Sequence, residues 1–472
     1  MRRAVTAVAA ACLLALPTVL AFRAGGYHAE PRLIAALVVW ALVLALAALG
    51  PAPLPRSGPG RVALGGLVLL TAWSAVSLAW APLGGPAIQA VQRLVLYTGA
   101  LVLAVGVLRA PRALRAVEPA LAAGATVVIG YGLAGRLLPG VLELARSESA
   151  GGRLEQPITY WNAEGALAAV GLVLAARIAG DPSRPGRLRA GAVAAAVPLG
   201  AGVYLSYSRG ALAVALLGLL ILVAAAPTRA QLRAVGLALV AGAAAAAIGA
   251  AFPGVAALEG ALDDRIRDGA IALSLLVAAG AAAAVLAARA AAADDGPLPA
   301  ARRLGPIAAA LVAAAALGLV AGGLGERPTR AELAQGAGAQ RLATVSSNRY
   351  EYWRVGLQAF AREPVTGLGA GGFRVAWLQE RTFPEAVRDA HSLAVECAAE
   401  LGLPGLAGLA LLVGGVAAAA RRALRRRRAA AAGATATLIA WLLHAAIDWD
   451  WQLPAVTLPA VVLAGALIVL DE

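Results

Sequence analysis

Apolar runs of nearly twenty residues follow one another along almost the whole chain, and nothing else in it constrains the fold as strongly. A helix crossing the hydrocarbon core of a bilayer needs about 20 mostly apolar residues. Windows of that kind fall at 4–22, 33–50, 62–81, 88–108, 114–135, 162–179, 188–206, 210–226, 232–251, 269–288, 304–324, 392–419, 430–447 and 454–470. Inside lipid each backbone N–H and C=O must find its partner within its own segment, so these windows are helices. They predict an all-α integral membrane protein, one polytopic helical bundle over 1–472 with about 12–14 spans. Composition agrees. The chain is 61% hydrophobic and 14% charged, whereas a soluble domain is about 45–50% apolar and about 25% charged. The first window, behind Arg2 and Arg3, resembles a signal peptide but has no small-residue cleavage site, and reads as an uncleaved first span.

The net charge of +14 is carried by arginine alone, 40 residues with no lysine. The arginines cluster in short loops between apolar runs, not in a patch, which argues against nucleic acid as a partner. Loops on one side of the membrane hold more than half of them and few acids; the other side is near neutral. By the positive-inside rule the arginine-rich loops, RRALRRRR at 421–428 above all, are cytoplasmic. Both termini are then cytoplasmic, and the long polar stretch 325–391 is one large extracytoplasmic loop containing short helices. Cys12 and Cys397 lie in apolar segments and imply neither a disulfide nor a metal site.

Within that loop, Asn348 with Glu351 has the spacing of a capping box, and Trp353, Leu357 and Phe360 predict one apolar helix face. Pro364 ends the helix. GLGAGG at 367–372 reads as a tight turn needing positive φ, with a backbone nest for a lipid diphosphate as the other reading. His391, one of only three histidines, follows Arg388 and Asp389 at the start of the next span, where it can act as a base near neutral pH. His444 sits one turn before Asp448, with Asp450 beyond, and His28 reads as incidental. On the same outer side, a short turn holds Ser206-Tyr207-Ser208-Arg209-Gly210. A guanidinium there either binds an anionic head group or snorkels at the interface.

SYSRGALAVALLGLLIL at 206–222, RYEYWR at 349–354, EPVTGLGAGGF at 363–373, AHSL at 390–393 and ELGLPG at 400–405 together resemble the O-antigen ligase and O-antigen polymerase superfamily of membrane glycosyltransferases. The resemblance covers about residues 200–412. TYWNAEGALAA at 159–169 resembles the family's Asn-bearing span, marking Asn162, and HAAIDWDWQLPAV at 444–456 a C-terminal feature of related chains, marking Asp448. The resemblance implies transfer of a glycan from an undecaprenyl-diphosphate carrier to an acceptor sugar hydroxyl, on the extracytoplasmic face of the cell membrane, without a metal ion or other cofactor. The implied partners are the polyprenyl-diphosphate-linked donor, a glycan or lipid-glycan acceptor, and membrane lipid. It also implies that Arg209 holds the donor diphosphate, that Arg349 is a second diphosphate contact, and that His391 activates the acceptor. Ser392 stands where the family often has Asn. Arg209 and His391 are then expected to face one outward-opening cavity. The alternative from another class is a multi-span transporter of a small anion or glycan, which predicts ionisable residues near mid-bilayer; Arg93, Glu118, Glu164, Glu396 and Glu400 are the few candidates.

Overall fold

A computed structural model describes residues 2–49, 52–290, 296–298, 305–311, 313–314 and 347–472. Positions 325–346 of the long loop, and most of the window at 304–324, lie outside the described residues. The helices are α1 (Arg2–Ala21), α2 (Ala29–Leu49), α3 (Gly58–Val76), α4 (Gly84–Leu108), α5 (Pro111–Leu137), α6 (Trp161–Ala179), α7 (Gly186–Leu205), α8 (Arg209–Ala225), α9 (Arg229–Ala251), α10 (Pro253–Ala256), α11 (Leu262–Ala290), α12 (Arg349–Arg362), α13 (Phe373–Glu380), α14 (Leu393–Arg426), α15 (Arg428–Ala445) and α16 (Pro454–Asp471). Apart from one isolated bridge between Thr228 and Pro297, the described residues contain no strand pairing. The protein is therefore all-α and polytopic.

Thirteen of the fourteen apolar windows coincide with helices, and among the described residues eleven helices are long and apolar enough to cross a membrane. The count is lower than the sequence suggests. The helix α8 has 17 residues, and at about 1.5 Å per residue it falls short of the ~30 Å core. The helix α15 carries Arg428 and His444 near its ends, which lowers its apolarity.

The chain divides into two compact units. The first comprises Met1–Val117, Ser347–Arg427 and Leu442–Glu472. Its interior is built on α4 and α16, both buried over most of their length. Helices α3 and α14 approach closely. A Cβ on Gly66 would lie 2.4 Å from Leu412 N and 2.5 Å from Gly408 O, and one on Gly415 would lie 2.4 Å from Ala63 N. Only glycines permit that backbone approach, and in lipid such packing substitutes for a hydrophobic driving force between helices.

The second unit comprises Glu118–Ser346 and Arg428–Trp441. It is centred on α6, whose spanning window is nearly all buried. Gly200 and Gly242 let α7 and α9 touch, since a Cβ on Gly200 would come within 2.3 Å of Gly242 Cα. Four charges meet at one end of this unit. Arg177 pairs with Asp181 at 3.0 Å and Arg184 reaches Glu118 at 3.4 Å, so the buried Arg177 and Glu118 are matched within the unit.

Candidate functional site

The described part of the long loop is seated on a break in α14. Gly402 has φ +62°, and Pro404 two residues on has no N–H to donate. The carbonyls of Ala399 and Glu400 are thereby released from the helix ladder. Leu368 N donates to Ala399 O and Gly369 N to Glu400 O, both at 2.9 Å, while Leu403 N turns to Pro364 O at 2.8 Å. The glycines of the 367–372 turn make this docking possible. Gly367, Gly369 and Gly371 have φ of +64°, +83° and +71°, and a Cβ on Gly367 would meet Glu400 O at 2.4 Å. The concave face of N–H groups that the turn creates is taken by the chain itself: Glu400 accepts from Gly371 N at 2.7 Å and Phe373 N at 3.1 Å, at the start of α13. The tight-turn reading of this segment is the one the geometry favours.

Helices α12 and α13 close over the turn with a small core of Tyr352, Val355, Phe373, Ala376, Trp377, Val387 and Ala390. The buried face of α12 is Tyr352, Val355, Gly356 and Ala359, not the Trp353–Leu357–Phe360 stripe, and Leu357 is 52% exposed. The expected capping box does not form either. Asn348 makes no cap contact and donates to Glu385 at 2.9 Å. Glu351 accepts instead from Arg354 at 2.7 Å and Thr382 Oγ1 at 2.9 Å. Partners from the 380–385 segment and a nearby cation outcompete the local cap.

His391 lies where this small core meets α14, half-buried, with φ +51°. A non-glycine residue in that region is strained and persists only where its surroundings hold it. Trp353 Nε1 donates to its carbonyl at 3.3 Å, and Ser392 caps α14 by accepting from Val395 N at 3.4 Å. The ring Nδ1 is 3.1 Å from Asp389 O. A carbonyl only accepts, so Nδ1 carries the proton and the neutral ring presents Nε2 as a bare acceptor. Tyr352 and Trp449 flank the ring, with centroids at 5.1 and 6.3 Å. Withdrawal from solvent lowers the His391 pKa below the ordinary imidazole value; Asp448 opposes that shift and Arg349 adds to it. Burial also raises the neighbouring Asp389 carboxyl.

Arg349 opens α12 and pairs with Asp448, Nη2 to Oδ2 at 2.5 Å. Asp448 also accepts from Trp449 N at 2.9 Å. His444 takes Asp450, not Asp448, with Nδ1 to Oδ2 at 2.5 Å and both side chains buried. Asp448-Trp449-Asp450 has an acid-x-acid spacing that gave no expectation above. In the fold the two carboxylates take different partners, Arg349 and His444. Tyr27 also joins the site: its hydroxyl accepts from Arg388 at 3.3 Å and its ring meets Trp449 edge-on at 5.6 Å. No local pattern could have linked residue 27 to residue 449. Glu400 did leave a signal, the Pro four residues on that removes a ladder donor.

His391, Ser392, Arg349 and Asp448 all belong to the first unit; Arg209 and Asn162 belong to the second. Arg209 is the first residue of α8. Ser208 caps this helix by accepting from Ala211 N at 3.2 Å, and Tyr207, at φ +47°, makes the turn. The turn is seated on α6, where a Cβ on Gly165 would strike Ser206 Oγ at 2.4 Å. An arginine at a helix N-terminus faces the positive end of the dipole, a location that favours an anion in front of both. On α6, Asn162 donates to Tyr160 Oη at 2.7 Å, and the Arg153 guanidinium covers the Trp161 ring at 3.7 Å.

Fold and site together define a multi-pass, all-helical membrane protein with a half-buried, strained histidine beside an Arg–Asp pair. Residues 267–410 match the family model described as O-antigen ligase. That match includes Arg349, His391 and Ser392, and it supports the resemblance to the O-antigen ligase and O-antigen polymerase superfamily. None of the curated proteins matches the chain.

Proposed function

We propose that this protein is a membrane glycosyltransferase that moves a glycan from a polyprenyl-diphosphate carrier to a sugar hydroxyl on the extracytoplasmic face of the cell membrane. The observation that carries the reading is His391, whose Nδ1 faces a backbone carbonyl and whose environment favours the neutral ring. In the reaction, the acceptor oxygen attacks the anomeric carbon and its proton passes to His391 Nε2. The bond from that carbon to the diphosphate breaks, and the lipid diphosphate leaves with the negative charge.

Arg209 holds the leaving diphosphate, aided by the N-terminus of α8. Arg349 is a second contact. A guanidinium carries five N–H donors in a rigid fork, so a pair with one carboxylate is compatible with a phosphate contact. Ser392 and Asn162 are secondary positions, Ser392 by capping the helix behind His391 and Asn162 by its place near the start of α6. The diphosphate leaving group supplies the driving force for transfer. Whole cells test the reading. With His391→Ala the polyprenyl-linked donor should accumulate and its transferred product disappear; normal product from that variant would overturn it.

A further inference from the structure

His391 and the Asp448–Gln452 segment arrive from distant parts of the chain, and one carboxylate joins them. Glu396, one turn into α14, accepts from Ala390 N through Oε2 at 3.3 Å. Its Oε1 accepts from Gln452 Nε2. Ala390 immediately precedes the strained His391, and Gln452 closes the short 3₁₀ turn Asp450–Gln452 that follows Asp448 and Trp449. Gln452 is buried, and Ala390 is wholly so.

The geometry points to Glu396 as a positioning residue: its carboxylate clamps the His391 turn to the Asp448–Gln452 segment and so sets the distance between the imidazole and the Arg349–Asp448 pair. The inference rests on the transferase reading given above. Its physical basis is the backbone of His391, at a φ of +51° that a non-glycine residue keeps only while its surroundings over-determine it. Capping by Ser392 and the Trp353 contact act on the C-terminal side of that strain. Glu396 acts on the N-terminal side, and it is the contact that also reaches the Asp448 segment. Glu400, one further turn along, serves α13 and the glycine turn instead.

A swap separates positioning from bulk stability. Gln452→Glu removes the amide donor to Glu396 and, at a pH where both acids are ionised, breaks the clamp. The double variant Glu396→Gln with Gln452→Glu restores an amide–carboxylate contact in reverse, and the amide oxygen then present at position 396 still accepts from Ala390 N. Two readouts on full-length protein apply: kcat and KM for a polyprenyl-diphosphate-linked glycan, and the His391 imidazole titration followed by NMR of histidine-labelled protein, which has only three histidines. The groups facing His391 in that titration are Asp448, Arg349 and Asp389.

The expected result is a loss of roughly tenfold or more in kcat for Gln452→Glu, with KM for the donor little changed, and a displaced His391 titration. The double variant should return both towards wild type. If kcat and the titration are unmoved by Gln452→Glu, or the swap restores neither, the clamp is overturned. If wild type shows no transfer while the titration moves and returns, the transferase reading fails and the clamp stands.

Discussion

Arg349 and Asp448 are 99 residues apart in sequence, yet their side chains meet at 2.5 Å beside His391, with the carboxylate fully buried and the guanidinium partly open. The pair delivers one positive and one negative charge to the same imidazole, and the two act on it in opposite directions.

That opposition gives a signed pH prediction. A base must be neutral to take a proton, so transfer falls as pH drops through the His391 pKa. In wild type this limb lies below the ordinary imidazole value of about 6.5. Arg349→Ala removes a positive neighbour, raises the pKa and moves the limb to higher pH. Asp448→Asn removes the negative neighbour and moves the limb lower. The pH dependence of kcat/KM for the three proteins checks this; limbs that move together would contradict it. The same shift acts on stability. The folded protein disfavours the charged ring, so the unfolded chain binds more protons, and this contribution is lost as pH falls from the ordinary value towards the lowered one.

Glu400 predicts a stability effect without direct chemistry. Replacing it with Ala leaves the Gly371 and Phe373 donors without their acceptor, at about 1–3 kcal/mol for buried groups. Glu400→Gln keeps an acceptor and should lose less. Gly402→Ala should be at least as severe, because its Cβ would sit 2.4 Å from Val365 O at a φ of +62°. Thermal unfolding in detergent ranks the three variants.

The charge cluster of the second unit makes a separate prediction. Arg177 holds Asp181 at 3.0 Å and lies 4.0 Å from Glu118, so truncating it leaves two carboxylates to share Arg184. Arg177→Ala should therefore cost about 3 kcal/mol or more, whereas joint replacement of Arg177 and Glu118 by Met and Leu should cost less. The same melting measurement distinguishes the two.

The spans were legible because lipid imposes a length and an apolarity that any window of sequence reveals; α4 and α16 are found within a few residues of their windows. The positive φ of the 367–372 turn was legible for a similar reason, since glycine spacing is local. What escaped was partner choice. Asn348 and Glu351 have capping-box spacing, but Glu385 and Arg354 claim them. The buried face of α12 is set by Trp377 and Phe373, brought in by the break at Gly402. The motif around Asp448 is local, but the pairing of Asp448 with Arg349 spans 99 residues, and no periodicity encodes such a contact. Of the ionisable residues that the transporter alternative names, Glu400 and Glu118 hold internal contacts.

The most direct test is donor consumption by purified protein in lipid vesicles, using a polyprenyl-diphosphate-linked glycan with a sugar acceptor, for wild type, His391→Ala and Arg209→Ala. Removing a general base typically costs about 10²–10⁴-fold and removing a charge-stabilising donor about 10²–10³-fold. The account predicts losses of that order in both variants, with free polyprenyl diphosphate formed only by active protein. Transfer at the wild-type rate by both variants would contradict it.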